Sequence, residues 1–375
     1  MAGIYIHIPF CKKRCHYCDF YKTTNMELMS LCVFALAREM ELRSDYLEGK
    51  EIETIYVGGG TPSLLHRKQA HLILESIKTR FKTANNTEIT IEVNPEDITP
   101  TVAGDLIKTG FNRVSVGVQS WNNKVLRSMN RRHTCRQAHR AIDNLQDAGF
   151  TNISLDLIYG IPGLTSQEWE ADLDITFKKN IKHLSCYHLT IEPSTVFGSM
   201  KEKGLLSEID EEESERQFSI LTTRTREMGF VHYEISNFCL EGYYSKHNRG
   251  YWEQSHYLGI GPSAHSFNGY SREWNISDIR GYLKSIGMDL VPSEREILDE
   301  GMKYNEYIMT SLRTMWGIEP AYIDAEFGKE MYDYLINMAS RYFRYGLLEK
   351  VSNGRIVLTT QGKMTADNII KGLMK

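Results

Sequence analysis

Three cysteines stand near the start of the chain in the run Cys11-Lys-Lys-Arg-Cys15-His-Tyr-Cys18, a C-x3-C-x2-C spacing. Three thiolates on one short loop can each ligate a different iron of a cubane 4Fe–4S cluster, leaving the remaining iron open to a substrate or a chelating molecule. Lys12, Lys13 and Arg14 favour thiolate over thiol and offset the cluster's negative charge. Zinc is the competing reading, but it usually takes four ligands, and the fourth would be His16 or a distant group. Burial of three inert cysteines is the blander one. Cys32, Cys135, Cys186 and Cys239 are isolated and read as core residues.

Other polar groups fall just beyond strand-like runs. Gly58-Gly59-Gly60-Thr61-Pro62 is a glycine turn that lets backbone approach a ligand closely. Glu92 stands in Ile-Glu-Val-Asn-Pro, Gln119 in Gly-Val-Gln-Ser, Arg131 in Met-Asn-Arg-Arg-His and Asp156 in Leu-Asp-Leu-Ile-Tyr-Gly. Each lies in or beside apolar sequence and needs a partner if buried. Taken singly, each reads as a structural hydrogen bond. The segment Arg127–Arg140 carries five arginines and two histidines. It reads as a solvated helix face apart from Arg131, with a clamp for ligand carboxylates as the sharper alternative.

A second constellation is His247-Asn248-Arg249-Gly250-Tyr251-Trp252. Neutral imidazole ligates iron, and Tyr251 and Trp252 offer flat apolar surface with a polar edge. An aromatic turn with a hydrogen-bonded His247 is the alternative, and His232, His256, His265 and Cys239 remain open as iron ligands.

The elements that must position these groups alternate. Strand-like runs at Ile4–Ile8, Thr54–Val57, Glu88–Val93, Arg113–Val118, Ile153–Ile158 and Leu184–Leu189 are rich in Val and Ile. Between them, Glu27–Arg43, Lys68–Phe81, Ala138–Ala148 and Gln167–Lys178 read as helices. Repeated strand–helix units predict an α/β fold with a parallel sheet. Six units are too few for a closed eight-stranded barrel, so the expectation is a partial (β/α)6 TIM-like barrel over residues 1–240, with chemistry at the C-terminal strand ends. His232–Ile235 is a possible further strand, and an open doubly wound sheet is the alternative. Glu208–Arg216 reads as a solvated helix face. Residues 241–291 read as an aromatic, His-rich loop region. Residues 292–375 read as a small helical, winged-helix-like domain, with helices at Glu296–Thr314, Ala321–Phe327 and Lys329–Phe343 and a short strand at Arg355–Leu358.

Bulk properties narrow the class. The 375 residues are 41% hydrophobic and 25% charged, with net charge −4, which gives no reason to expect nucleic acid as a partner. There is no apolar run long enough to span a membrane and no secretory leader pattern, so the expected location is cytoplasmic, with transient membrane association possible. Seven cysteines, three within eight residues, fit metal ligation in a reducing compartment.

With Tyr17 before the third cysteine, the run resembles the radical SAM superfamily. More narrowly, nearly the whole chain is similar to the coproporphyrinogen III dehydrogenase and heme chaperone family. The resemblance implies a 4Fe–4S cluster on Cys11, Cys15 and Cys18 whose open iron binds the amino and carboxylate groups of S-adenosylmethionine (SAM). Reduction then cleaves SAM to a 5′-deoxyadenosyl radical. It implies SAM contacts from Tyr5, Tyr17, Gly59, Gly60, Thr61, Glu92, Gln119, Arg131 and Asp156, with Glu92 on the ribose or amino group and Arg131 on a carboxylate.

The family divides between a dehydrogenase that decarboxylates coproporphyrinogen III and a chaperone that delivers heme to respiratory membrane proteins. Three features favour the chaperone. Phe20 stands where the dehydrogenase pattern has a fourth cysteine. Only ten residues precede Cys11, where the dehydrogenase has an N-terminal extension. His247, Tyr251 and Trp252 match the chaperones' H-N-x-x-Y-W signature, which implies heme contact. An electron donor is expected if SAM is cleaved, and a homodimer is implied by the resemblance alone. A non-catalytic iron–sulfur electron carrier is the third reading. The absent fourth ligand and the glycine turn weigh against it.

Overall fold

The computed structural model describes residues 2–375. Its strands are β1 (Ala2–Ile8), β2 (Ile52–Gly59), β3 (Thr83–Val93), β4 (Arg113–Gln119), β5 (Ile153–Tyr159), β6 (His183–His188), β7 (Val231–His232), β8 (Asn237–Cys239), β9 (His256–Ile260), β10 (His265–Phe267), β11 (Ser271–Asn275), β12 (Ser293–Ile297), β13 (Leu348–Lys350) and β14 (Ile356–Leu358). Its helices are α1 (Met29–Leu42), α2 (Arg67–Arg80), α3 (Pro100–Thr109), α4 (Asn123–Ser128), α5 (Cys135–Asp147), α6 (Ser166–Phe177), α7 (Val196–Glu202), α8 (Glu211–Glu227), α9 (Lys246–Trp252), α10 (Ile279–Ile286), α11 (Glu300–Leu312), α12 (Pro320–Arg344), α13 (Thr360–Met364) and α14 (Ala366–Leu373).

The expected parallel run β1–β6 is present in sequential order, so the α/β partial barrel stands. One sheet of 12 strands carries it, in the order β12-β11-β10-β9-β1-β2-β3-β4-β5-β6-β8-β7, with open edges rather than a closed barrel. Alternation along each strand divides its faces. On β1, Ile4, Ile6 and Ile8 are at most 1% exposed and pack under the helices, each contributing roughly 1.5–3 kcal/mol. Tyr5 and His7 take the opposite, concave face. There they are joined by Tyr56, Glu92, Ser115 and Asp156: Tyr5 pairs with Tyr56 and Glu92 with Ser115 in register, and Asp156 pairs with Gly117 of β4.

The sheet is longer at both edges than sequence reading predicts. Beyond β6 lies a short β7–β8 pair, with β8 antiparallel to β6. On the other side, the segment read as a loop over 241–291 forms α9, β9, β10, β11 and α10, and β9 runs parallel to β1. Glycine obscured this strand signal. A Cβ on Gly259 would lie 2.0 Å from the His265 carbonyl oxygen, so the close β9–β10 approach needs glycine there. The sheet continues past residue 291, because β12 pairs with β11.

A buried polar cluster ties this added half-sheet to α1. Glu39 accepts from the Tyr282 hydroxyl at 2.6 Å, Asn275 Nδ2 at 2.7 Å and Gly261 N–H at 2.8 Å. Arg43 pairs with Glu273 at 2.6 Å. Each charged member has a partner, which a buried charge requires, while Asn275 Oδ1 has none.

The C-terminal segment has its own core around Tyr304, Ile308, Leu312, Leu335, Ile369 and Leu373. The two predicted helices over 321–343 are both present within α12, divided at Gly328, where φ is +85°. The predicted strand pairs with β13 as a hairpin.

Candidate functional site

The cysteine loop leaves β1 and is pinned at both ends by backbone hydrogen bonds. Cys11 N–H donates to Thr23 O at 2.9 Å, and Thr23 N–H to Pro9 O at 2.6 Å. Midway, His16 N–H donates to Met129 O at 3.1 Å and its Nδ1 lies 3.0 Å from Ser128 O. The loop therefore rests on the end of α4. Cys11, Cys15 and Cys18 line one cavity of about 420 Å³ at the C-terminal ends of the parallel strands. Among the described residues no three His, Cys, Asp or Glu side chains converge as ligands of a single metal ion.

The same cavity is lined by Tyr17, Gly59, Gly60, Thr61, Glu92, Gln119, Arg131 and Asp156. Sequence-distant residues thus meet at one place. Gly59 sits at φ +109°, and a Cβ on Gly60 would lie 2.7 Å from Phe10 O. Both positions demand glycine, and the cleared backbone borders the cavity. Thr61 Oγ1 donates to Cys11 Sγ at 3.4 Å. Gln119 holds φ +67°, uncommon for a residue with a side chain, at the β4 end.

Glu92 accepts the Tyr56 hydroxyl at 2.8 Å and Gly59 N–H at 3.0 Å. Burial outweighs these donors and raises its pKa to about 7. Asp156, held by Ser115 Oγ at 2.9 Å, is likewise raised by burial to about 6. Arg131 donates to Asn94 Oδ1 at 2.8 Å and Gly117 O at 2.7 Å, and reaches Cys15 Sγ at 3.6 Å. Burial opposes its charge, but Tyr17, Cys15 and Glu96 outweigh that and keep the guanidinium ionised. Its buried Nε has no partner.

The arginine-rich segment divides as expected only in part. Arg127, Arg136 and Arg140 are exposed. Arg132 instead pairs with Glu96 at 3.3 Å, and buried His133 hydrogen-bonds Val118 O at 3.0 Å.

The expected set does not all gather at the cysteines. Tyr5 lines a second cavity of about 460 Å³, together with Tyr251 and Trp252. His247 lines neither large cavity. It is 3% exposed, with Nδ1 2.8 Å from Thr54 Oγ1 and Nε2 2.9 Å from the Tyr251 hydroxyl. Burial lowers its pKa to about 3, so it is a neutral core histidine with both nitrogens engaged. Its helix α9 is held by Glu88, which accepts the N–H groups of Lys246 at 3.3 Å and His247 at 3.2 Å. Asn248 of the same helix borders the cysteine cavity.

Sequence reading missed Tyr56, Asn94, Ser115, Ser185 and Tyr187, which also border that cavity. Strand alternation could have found Tyr56, two residues from Thr54 and from Gly58 on the same face.

Residues 5–175 match the family model of the radical SAM superfamily. The chain is 32% identical to heme chaperone HemW of Mycobacterium tuberculosis across 99% of this chain and 94% of the relative. It is 30% identical to HemW of Bacillus subtilis across 98% of each. Among solved structures it is similar to coproporphyrinogen III oxidase (HemN) from Escherichia coli, described as a radical SAM enzyme. The TM-score is 0.86 and the identity 23%, covering 100% of this chain and 90% of that one. At that identity the likeness concerns the fold. Among the described residues no helix is long and apolar enough to cross a membrane.

Proposed function

The chain belongs to the radical SAM superfamily and, within it, to the HemW heme chaperone family, and from that membership we propose that it binds heme and passes it to heme-requiring respiratory membrane proteins. The family's cofactors are a 4Fe–4S cluster and SAM. The cysteine cavity fits them: it offers three thiols as donors, backbone cleared by Gly59 and Gly60, and an unpartnered Arg131 Nε. Cys11, Cys15 and Cys18 would hold the cluster, Arg131 the SAM carboxylate, and Glu92 its ribose or amino group. Tyr17, Thr61, Gln119 and Asp156 would complete the wall. When bound, the cluster supplies an electron and SAM a cleavable adenosyl group. Tyr5 is left out of this set because it faces the second cavity.

One observation carries the chaperone reading over the dehydrogenase. Phe20 is 67% exposed and borders the cysteine cavity. At the place of the dehydrogenase's fourth cysteine the cavity meets an apolar ring, not a thiol.

The test is anaerobic. Cluster-loaded protein is given SAM, a reductant and coproporphyrinogen III, and the products are separated by chromatography. Hemin is titrated in parallel and its transfer to an apo-cytochrome followed. Heme binding and transfer without protoporphyrinogen are expected. Catalytic protoporphyrinogen formation would overturn the reading.

A further inference from the structure

The second cavity, about 460 Å³, lies between the added half-sheet, α9 and α11, and its walls include Tyr5, Tyr251, Trp252, Tyr257, His265 and Phe267. We propose that this cavity is where heme sits and that His265, not His247, ligates the iron. This rests on the heme-binding reading above and locates its site.

Heme is a broad flat macrocycle with an apolar face, a central metal and two carboxylates at one edge. A pocket for it needs aromatic or aliphatic walls, one neutral donor with a free lone pair, and polar groups at the rim. The walls are aromatic and come from three separate elements: β1, α9 and the β9–β10 pair. Tyr251 and Tyr257 cross edge to face at 4.6 Å, a packed wall rather than loose side chains.

The histidines differ in what their nitrogens already do. His7 borders this cavity, but its Nδ1 is 3.1 Å from the Tyr5 hydroxyl and its Nε2 3.1 Å from Tyr21 O. His247 has both nitrogens engaged, as described. His232 is 3.2 Å from Ile235 O and 3.2 Å from Lys363 Nζ. His265 is exposed at the cavity, and among the described residues no protein group hydrogen-bonds its ring. The surrounding protein, and after it the Arg272 charge, lower its pKa, which favours the neutral imidazole that metals bind.

The rim also has unmet capacity. Trp252 borders the cavity, and its buried indole N–H has no acceptor. An unpaired buried donor costs about 1–3 kcal/mol, and a propionate carboxylate would satisfy it. Arg272, paired with Glu306, places a cation on the same wall.

The test is hemin titration of the full chain, as wild type, His265→Ala and His247→Gln, followed by the Soret band and by electron paramagnetic resonance of the ferric iron. For His265→Ala the Soret maximum should move, the ferric spin signal should change, and affinity should fall at least about tenfold. Added imidazole should restore the wild-type spectrum. Iron-free protoporphyrin IX, which takes no axial ligand, should bind wild type and His265→Ala alike. His247→Gln should keep the wild-type Soret position. If His265→Ala matches wild type in both spectrum and affinity, the site assignment is wrong while heme binding stands. If wild-type protein binds no heme, the chaperone reading itself fails.

Discussion

The imidazole of His247 stacks on the ring of Tyr56 with centroids 5.1 Å apart, and the Tyr56 hydroxyl in turn donates to Glu92. The most distinctive histidine of the H-N-x-x-Y-W motif therefore backs the carboxylate of the cysteine cavity. This contact would let it position Glu92 through Tyr56, while Tyr251 and Trp252, four and five positions on, turn to the second cavity. Helix α9 borders both cavities, through Asn248 on one side and Tyr251 and Trp252 on the other.

Replacing His247 by Ala should expose this role. The change leaves a buried void and deprives Thr54 Oγ1 and the Tyr251 hydroxyl of a partner. A loss of about 2–4 kcal/mol in equilibrium unfolding is expected. SAM affinity, measured by calorimetry on cluster-loaded protein, should fall severalfold as Tyr56 loosens. Unchanged stability and SAM affinity would remove His247 from the wall.

Glu92 makes the stability depend on pH with a definite sign. Its pKa of about 7 in the fold exceeds the ordinary carboxylate value, so the folded state holds the extra proton between about pH 4.5 and 7. Stability contributed by the protonated form is present below that window and is lost as pH rises through it. Relative to Glu92→Gln, cluster-free wild type should lose stability over this range and then level off. Allowing for water in the cavity, the total is about 2 kcal/mol. Melting temperatures of both proteins across pH 4.5–8 measure it, and a flat difference curve would refute it.

Two glycine substitutions separate site geometry from general stability. On Gly60 a methyl would meet Phe10 O at 2.7 Å and Ile8 O at 2.9 Å, both backbone atoms that cannot swing aside. Gly60→Ala should displace the segment entering Cys11 and reduce iron and sulfide per chain after reconstitution. On Gly104, within α3, the same methyl meets nothing within 4 Å. Gly104→Ala should leave iron content unchanged and stabilise the chain by roughly 0.5–1 kcal/mol. Equal iron loading in the two variants would show that the tight Gly60 approach is irrelevant to the cluster loop.

What could be read from sequence follows how locally each feature is written. The cysteine run is a short-range pattern on one loop, and β1 to β6 announce themselves as Val- and Ile-rich runs. Arg131 with Asn94 and Tyr56 with Glu92 are pairs across 37 and 36 residues, made by the α4–α5 loop packing at the end of β3 and by the adjacency of β2 and β3, which a single sequence does not display. Strand β9 was hidden because Gly259 interrupts its apolar pattern and Gly261 directly follows it, both at close backbone approaches. The contrast between His247 and His265 was hidden for a further reason. A motif draws attention to His247, but whether an imidazole has a free nitrogen depends on Thr54 arriving from β2 and on how Tyr251, one turn on in the same helix, is packed.

Phe20 links the two cavities, because its exposed ring borders both while its backbone belongs to the cysteine loop. The loop is tethered there by Lys22 Nζ, which donates to Cys18 O at 2.6 Å and Phe20 O at 3.0 Å. A cluster bound to Cys15 and Cys18 would restrict this stretch, and with it the wall that Phe20 presents to the second cavity. Heme affinity should therefore differ between cluster-loaded and cluster-free wild type. A coupling of 1 kcal/mol, the lower end of ordinary allosteric coupling, corresponds to about fivefold. In Phe20→Ala the ring that transmits the restriction is gone, so the two affinities should converge while iron content and SAM binding stay near wild type. Replacing Cys11, Cys15 and Cys18 together by Ala should give heme affinity equal to that of cluster-free wild type. The coupling is refuted if wild-type affinity is the same with and without the cluster, or if the difference persists undiminished in Phe20→Ala.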